Sequence, residues 1–154
     1  MAEYPQLWPS DQVNRALARS LSAEMAASFG SLRGAYPMNL RHRHPFVKQY
    51  FEASPGIARD LARITIIFSS CRARVNERKE LKKIDEGYLF GAFTAVDAMF
   101  APVCWRIKGY TLPVDNEVAK EYVERICSCE LVQEWVQEAA KETQVLPSDE
   151  IDFQ

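Results

Sequence analysis

The chain has 154 residues, of which 47% are hydrophobic and 26% are charged, and its formal net charge is −2. This length and balance predict one globular domain that buries a core without staples, and the weak negative charge excludes a general nucleic-acid binder, which is usually basic. The sequence contains neither an apolar run long enough to span a membrane nor a signal-peptide pattern, so we expect a cytoplasmic protein.

Residues 1–9 are a short, proline-punctuated lead-in, because proline restricts the residue before it. Ser10 is a suitable N-cap for the helix that follows. Apolar residues then recur at steps of three and four as far as Leu32. This spacing predicts one long amphipathic helix that ends near Gly34.

Periodicity disappears over residues 35–53, which contain a basic cluster of Arg41, His42, Arg43, His44 and Lys48. The two histidines suggest a metal site only weakly, since no acidic or cysteine partner accompanies them. The three cationic side chains would suit an anion such as phosphate or carboxylate. The simplest interpretation is a solvated loop that bridges two helices.

A second helix is predicted from Ser54 as N-cap and Pro55 as first helical residue. Its core-facing stripe has steps of 4, 3, 4, 3 and 4 and consists of Ile57, Leu61, Ile64, Phe68, Cys71 and Val75. We expect this helix to lie antiparallel to the first. Residues 76–87 are charged and predict a solvated connector or a fraying helical extension.

Thr94 and Asp97 form an S/T-x-x-D pattern directly before an apolar run, which predicts a capping box at the start of a helix. The run carries apolar groups on every side, which is typical of a buried helix. Pro102 removes a backbone hydrogen bond and predicts a bend. We therefore expect a buried, capped central helix in an all-α domain.

Two shorter helices complete the pattern. Asp115 or Asn116 caps a helix that ends near Ser128. Glu130 opens a last helix whose apolar side is Leu131, Val132, Trp135, Val136 and Ala139. Residues 145–154 are expected to form a flexible tail.

The four cysteines are predicted to be buried and reduced. Cys71 and Cys104 lie inside apolar helical patterns. Cys127 and Cys129 have a C-x-C spacing without a second pair, so no zinc site is predicted, and a redox role is the minor alternative.

This order of helices, with its residues, resembles the C-terminal domain of cytosolic glutathione S-transferases, and bacterial members most closely. The resemblance covers about residues 4–144 and is carried by Leu7-Trp8-Pro9, by Pro37-Met38-Asn39-Leu40-Arg41, by the segment 89–103 and by Val132-Gln133-Glu134-Trp135. It implies a glutathione S-transferase C-terminal-domain-like bundle of about five helices over residues 10–144, with 1–9 as a linker remnant. The family's hydrophobic staple would here pair Phe93 with Ala98, which is a weak pair.

The resemblance implies the electrophile-binding half of a transferase, as a fragment or a truncated gene product. Its pocket would lie between the first and central helices, with Arg33 near the mouth, and the apolar candidates are Met25, Phe29, Leu32, Tyr36, Phe100 and Trp105. Core packing is the alternative interpretation for each of them.

No catalytic residue is expected, because the family places its catalytic Ser, Tyr or Cys and its glutathione site in a preceding thioredoxin-like domain that this sequence lacks. The domain alone is therefore expected to bind no cofactor and to lack conjugating activity, and to use glutathione only if that domain is supplied.

The second hypothesis is a non-catalytic assembly module, similar to the transferase-like domains attached to translation factors and synthetases. A thioredoxin-like domain or a homodimer partner is expected to cover an apolar patch on the first helix. A hydrophobic small molecule is a further expected partner, whereas nucleic acid and membrane are not. An anion or nucleic-acid site at residues 41–44 is a distant third hypothesis.

Overall fold

The computed structural model describes residues 7–41, 43–151 and 153. These residues form eight α-helices: α1 (Gln12–Ala27), α2 (Gly30–Ala35), α3 (Lys48–Glu52), α4 (Pro55–Glu77), α5 (Lys79–Lys82), α6 (Ala95–Gly109), α7 (Glu117–Cys127) and α8 (Glu130–Ala139). A 3-10 turn follows at Pro147–Asp149, and the only β-type pairing among the described residues is two isolated bridges within 88–92. The predicted all-α class is confirmed. No described helix has both the length and the apolar character needed to cross a membrane.

The core is built around α6, which contacts α1 on one side and α7 on another, while α4 contacts α2 and α7. Phe68 of α4 joins these layers: its ring centroid is 5.4 Å from that of Phe100 on α6 and 4.5 Å from that of Tyr122 on α7. All three side chains are fully buried. Such aromatic contacts add to the hydrophobic burial that holds the helices together.

The prediction of one long first helix that reaches Gly34 is wrong, because the helix is interrupted between α1 and α2. Phe29 adopts a left-handed backbone conformation, with φ of 63°, while its side chain is buried. The first turn of α2 then receives a cap from a distant residue, since the Leu32 N–H donates to Asp60 Oδ2 at 3.1 Å. The N-cap of α1 is Asp11 instead of Ser10, and its carboxylate accepts from the Asn14 N–H at 2.8 Å.

The stripe predicted for α4 is confirmed, since all six of its residues are buried. Two polar bridges show that α1 and α4 run antiparallel. Arg74 Nε donates to Asn14 Oδ1 at 2.7 Å, and Arg63 Nε donates to Glu24 Oε1 at the same distance. Residues early in α1 therefore face residues late in α4, as the sequence predicts.

The capping box at the start of α6 is present, with Thr94 as the N-cap residue. Asp97 Oδ2 accepts from the Thr94 N–H at 2.9 Å and from the Thr94 hydroxyl at 3.2 Å. Its second oxygen accepts from the Leu89 N–H and from the Tyr122 hydroxyl, each at 3.0 Å. Because Asp97 is fully buried, it lies inside the core and not at its edge. We call Asp97, Thr94, Leu89 and Tyr122 the capping hub.

The sequence predicts that the central helix α6 is buried on every side, but one side of it is open to solvent. Ala98 is exposed, Met99 is 39% exposed and Pro102 is partly exposed. The helix continues through Pro102 to Gly109. The weak staple has no counterpart here, because Ala98 faces solvent while Phe93 contacts the Tyr88 ring, with centroids 5.1 Å apart.

The charged connector is more ordered than a solvated loop. Helix α4 continues to Glu77, and α5 buries Leu81. Arg72 of α4 binds Asp85 through two nitrogens, at 2.7 and 2.9 Å, and donates to the Tyr88 carbonyl at 2.7 Å. These bonds hold the turn before α6 against α4.

The last two helices begin where the sequence predicts. Asn116 is the N-cap of α7 and accepts from the Ala119 N–H at 2.9 Å. On α8 only part of the predicted apolar side is covered: Val132 is buried, whereas Leu131 and Trp135 are 60% and 38% exposed. The apolar stripe of α8 is wider than the surface against which it packs.

The described part of the predicted tail contacts the loop before α3 and α3 itself. Glu150 forms an ion pair with Arg41 at 3.3 Å. Phe153 places its ring 5.0 Å from that of Tyr50 and 5.1 Å from that of His44. The C-terminal segment thus closes over the loop that precedes α3.

Candidate functional site

The residues predicted to line a ligand pocket are brought together by the fold, but in the core. None of the six apolar candidates is more than 5% exposed, and all belong to one hydrophobic cluster: Met25, Phe29, Leu32, Tyr36, Phe100 and Trp105. Arg33 alone is exposed, and its Nη1 donates to the Ala26 carbonyl at 3.1 Å. This burial is what core packing requires, and the same residues would also form the wall of a pocket if one opened between them.

Tyr36 follows the last turn of α2 and anchors the side of the cluster nearest to the end of α6. Its ring centroid lies 5.0 Å from that of Tyr110 and 5.5 Å from that of Tyr50. Tyr50 donates its hydroxyl to the Ala35 carbonyl, and Tyr110 donates to the Pro37 carbonyl, both at 2.9 Å. The backbone around Tyr36 is thereby fixed against α3 and α6.

Arg106 is the charged residue of α6 that reaches this region, and the sequence analysis did not select it. Its Nε donates to the Tyr36 carbonyl at 2.8 Å. Among the described residues, no carboxylate oxygen lies within 4.0 Å of its guanidinium. A signal was present, since Arg106 is a lone cation inside an apolar run, where a charge needs a partner.

Burial is the largest influence on Arg106 and lowers its pKa, and the positive charge of Arg33 lowers that pKa further. Tyr110 and Asp149 act in the opposite direction and to a smaller extent. We call Arg33, Tyr36 and Arg106 the arginine junction, which joins α2 to α6.

Two buried donors at this side of the cluster have no hydrogen-bond partner among the described residues: the Tyr36 hydroxyl and the Trp105 indole N–H. Tyr36 is 2% exposed and Trp105 is 3% exposed. Burial raises the pKa of Tyr36 to about 12, so its hydroxyl keeps its proton at neutral pH. Because buried donors are almost always bonded, each of these two donors marks a position where a partner such as water is expected.

The basic loop is largely exposed in its described part, as a solvated bridge would be, but two of its side chains contact aromatic residues of the core. Arg43 stacks over the Trp105 ring with 4.4 Å from its guanidinium carbon to the centroid. The His44 ring stacks on that of Tyr110 at 5.1 Å, and the His44 backbone N–H donates to the Gly109 carbonyl at 2.7 Å. His42, half of the metal-site alternative, lies outside the described residues. Within the described residues no group of three potential metal ligands is found.

The cysteines are free and buried, as the sequence predicts. Burial raises the pKa of Cys71 to about 12 and that of Cys127 to about 11, and it raises the pKa of Cys104 well above 9.0. A reactive cysteine needs a lowered pKa, because the thiolate is the nucleophile. These three thiols are therefore suited to packing and not to catalysis.

The chain was compared with protein-family models and with curated proteins, and it matches none of either.

Proposed function

We propose that this chain forms the electrophile-binding, helical domain of a glutathione S-transferase-like protein, and that the domain alone has no conjugating activity. The observation that carries the proposal is the uncovered apolar face at the start of a capped central helix. Ala95, Ala98, Met99 and Pro102 occupy positions i, i+3, i+4 and i+7 and so share one face of α6. Each is exposed or only partly buried.

The position of the lead-in supports a partner on that face. The Ala95 N–H donates to the Leu7 carbonyl at 2.8 Å, so the chain enters beside the first turn of α6. A thioredoxin-like domain joined there would have the exposed face of α6 within immediate reach. Burial of Met99 and its neighbours against such a domain would remove apolar surface from water, which favours association.

The ionisable groups of this domain are unsuited to activating the thiol of glutathione. A transferase must stabilise the thiolate of glutathione, which requires a nearby donor or an activated side chain. Burial raises the pKa of Tyr36 and Tyr88 to about 12, and it raises that of the buried thiols already described, so none of these groups is ionised at neutral pH to act as a base or nucleophile. Glutathione is thus a cofactor for this protein only when a thiol-activating domain is joined to it.

The test compares the purified chain with the same chain supplied with the thioredoxin-like domain of a bacterial transferase. We expect no glutathione conjugation by the chain alone, and measurable association with the added domain. Met99→Glu should weaken that association, because it places a charge in the apolar contact, while Val118→Glu on α7 serves as the matched control. Normal turnover by the chain alone would refute the proposal, and equal effects of the two variants would refute the interface.

The alternative function is a non-catalytic interaction module, and a groove between α1 and α4 favours it. The groove has a volume of about 440 Å³, and its lining combines apolar residues with charged ones: Leu17, Leu21 and Ile67 on the one hand, Arg63, Arg74 and Glu77 on the other. Ile66, on the neighbouring surface of α4, is 53% exposed. Such a surface suits a second copy of the chain, because a two-fold dimer brings identical patches together.

Light scattering over a range of concentrations tests the alternative. A dimer that Ile66→Glu converts to a monomer, with Val118→Glu still dimeric, is the expected result for an assembly module. A chain that remains monomeric at every concentration would contradict a homodimeric module.

A further inference from the structure

The C-terminal part of the chain carries an excess of negative charge. Residues 130–154 contain seven acidic side chains and one lysine, whereas residues 1–129 contain 14 acidic and 18 basic side chains. The weak net charge of the whole chain therefore conceals an acidic C-terminal part and a basic remainder. Such an acidic part attracts positively charged partners, because complementary charges steer association and fix its register.

Three of these acids form a row along α8. Glu130, Glu134 and Glu138 recur at every fourth residue, so they lie one turn apart on the same side of the helix. Glu142 continues the spacing just beyond the end of the helix, and all four side chains are exposed. Within the described part of the chain, Glu138 pairs with Lys141, and no ion pair involves the other three. We call these four glutamates the carboxylate row.

An exposed apolar stripe runs beside the carboxylate row. Leu131 and Trp135 lie one turn apart and are 60% and 38% exposed, and Ala139, a further turn along, is partly buried. Residues three apart on a helix are neighbours, so Leu131 borders Glu134 and Trp135 borders Glu138. The outer face of α8 therefore combines apolar surface with a parallel line of negative charge.

The stripe leads into a cavity of about 230 Å³ between α8, residues 38–41 and the tail. The apolar side chains of its lining are Met38, Leu40, Trp135, Ala139 and Leu146. The charged side chains of its lining are three acids and one base, namely Glu142, Asp149, Glu150 and Arg41. Arg41 already pairs with Glu150 at 3.3 Å. The cavity is smaller than the roughly 300 Å³ at which sites for whole ligands begin, so it suits one side chain of a partner.

The charge of this surface selects among the partners that an exposed apolar face can have. The carboxylate row would repel a nucleic acid or an anionic lipid surface. A two-fold dimer that placed α8 against its own copy would bring two such rows together, which is unfavourable. A basic helix avoids this repulsion, and its side chains recur at the same spacing of one turn.

We propose that α8 and the cavity at its end bind a basic amphipathic helix of a partner protein. The partner places an apolar side chain in the cavity against Trp135, and its lysines or arginines face the carboxylate row. No residue of the exposed α6 face lines this cavity. The inference therefore goes beyond the proposed function and does not rest on it.

Calorimetric titration of the whole chain with three synthetic helices of about four turns tests the proposal. The probe consists of leucine and lysine, with all leucines on one face. One control peptide replaces every lysine with glutamate, and the other replaces every leucine with alanine. We expect the probe to bind at least about 10-fold more tightly than either control, because only the probe satisfies both the charge and the apolar surface.

Substitutions on α8 locate the binding surface. Trp135→Ala should weaken binding of the leucine–lysine helix by at least about 5-fold, whereas Val118→Ala on α7 is the matched control. The double variant Glu134→Gln with Glu142→Gln should remove most of the preference for lysine over glutamate peptides. Its control is Glu80→Gln with Glu121→Gln, two exposed acids that do not line the cavity. Circular dichroism establishes that each variant is folded.

A nuclear magnetic resonance spectrum adds a readout that a purely structural role would not change. The Trp135 indole N–H signal, assigned with Trp135→Phe, should shift on addition of the leucine–lysine helix. Binding of the alanine–lysine helix with equal affinity would overturn the proposal, since it would reduce the interaction to unspecific charge attraction. Equal affinity for the leucine–glutamate helix, or equal losses in the control variants, would overturn it as well. So would self-association in light scattering that Trp135→Ala abolishes, because the occupant would then be a second copy of the chain.

Discussion

The capping hub and the arginine junction are opposite solutions to the same physical problem, a charged side chain brought into a largely apolar region. At the hub, the Asp97 carboxylate receives four donors, two from the backbone and two from hydroxyl groups. At the junction, the Arg106 guanidinium meets one carbonyl and a second cation. Both charges lie on α6, ten or so residues apart.

The difference lies in how many hydrogen-bond partners the protein supplies to each charged side chain: Asp97 is fully supplied, whereas Arg106 is not. Burial raises the pKa of Asp97, and the bonds from Leu89, Thr94 and Tyr122 act against that rise. Each oxygen of the Asp97 carboxylate accepts two hydrogen bonds, and all four donors belong to the protein itself. At the junction the protein fills fewer of the donors: Arg106 donates to one carbonyl and is partly buried, while Arg33 is exposed to solvent. The following predictions test that contrast.

The largest effect is expected from Asp97→Ala, which leaves buried donors from three residues without an acceptor. We expect a loss of about 3–5 kcal/mol in the free energy of unfolding, measured by urea denaturation at neutral pH. This exceeds the roughly 1 kcal/mol expected for an ordinary helix cap. The control is Asp115→Ala, an exposed acid before α7, which should change stability by less than about 0.5 kcal/mol. A loss below about 1 kcal/mol for Asp97→Ala would show that the hub is not formed.

Gly91→Ala should disturb the turn that presents the Leu89 N–H to the hub. Gly91 has φ of +96°, and a Cβ there would lie 3.0 Å from the Leu81 carbonyl oxygen. We expect a loss of about 1–3 kcal/mol, from backbone strain and the close contact. Gly34→Ala is the matched control, since nothing lies within 4 Å of its Cβ position and it is helical. That control should be neutral or stabilising by up to about 1 kcal/mol, so an equal loss in both variants would contradict the role of the turn.

Asp85→Asn should make the stability of the protein less dependent on pH in the acid range. The hydrogen bonds from Arg72 are the main reason that the pKa of Asp85 is lowered from 3.8. The stability contributed by this pair is therefore present above that value and lost as the pH falls through the folded-state pKa. Denaturation of both proteins between pH 7 and pH 2 should give a difference of about 1–2 kcal/mol at neutral pH that shrinks in acid. A difference independent of pH would show that the ionised Asp85 carboxylate is not what Arg72 stabilises.

The smallest effect on stability is expected from Arg106→Gln at the junction. The substitution removes one bond to the Tyr36 carbonyl but also relieves desolvation and repulsion by Arg33. We expect a change within about 1 kcal/mol of zero by urea denaturation. A loss as large as that of Asp97→Ala would make Arg106 a structural charge and remove the contrast between the two regions.

The fold was predictable where its signals are local in the chain. The capping box spans four residues, Thr94 to Asp97, and the stripe of α4 follows from helical spacing alone. The N-caps Ser54 and Asn116 are also short-range patterns. Such features depend on neighbouring residues, so no knowledge of the rest of the chain is needed to find them.

The errors arose where a partner distant in the chain decides the outcome. The first helix ends early because Phe29 takes a left-handed conformation and Asp60, 28 residues beyond Leu32, caps the next helix. Met99 is apolar like the buried residues around it, and only the packing of neighbouring helices leaves it exposed. The sequence pattern led to Tyr36 and Arg33 but not to Arg106, because the bond between Arg106 and the Tyr36 carbonyl joins residues 70 positions apart.

Sequence alone determined that the chain is all-helical, that Thr94 and Asp97 open a central helix, and that the cysteines pack as buried thiols. The tertiary structure decided what surrounds the two charges of that helix. It brings Leu89 and Tyr122 to Asp97, and the Tyr36 carbonyl to Arg106. The physical reason is that a helix fixes its own near neighbours through backbone hydrogen bonds, whereas the balance of a buried charge depends on groups that only folding brings into contact.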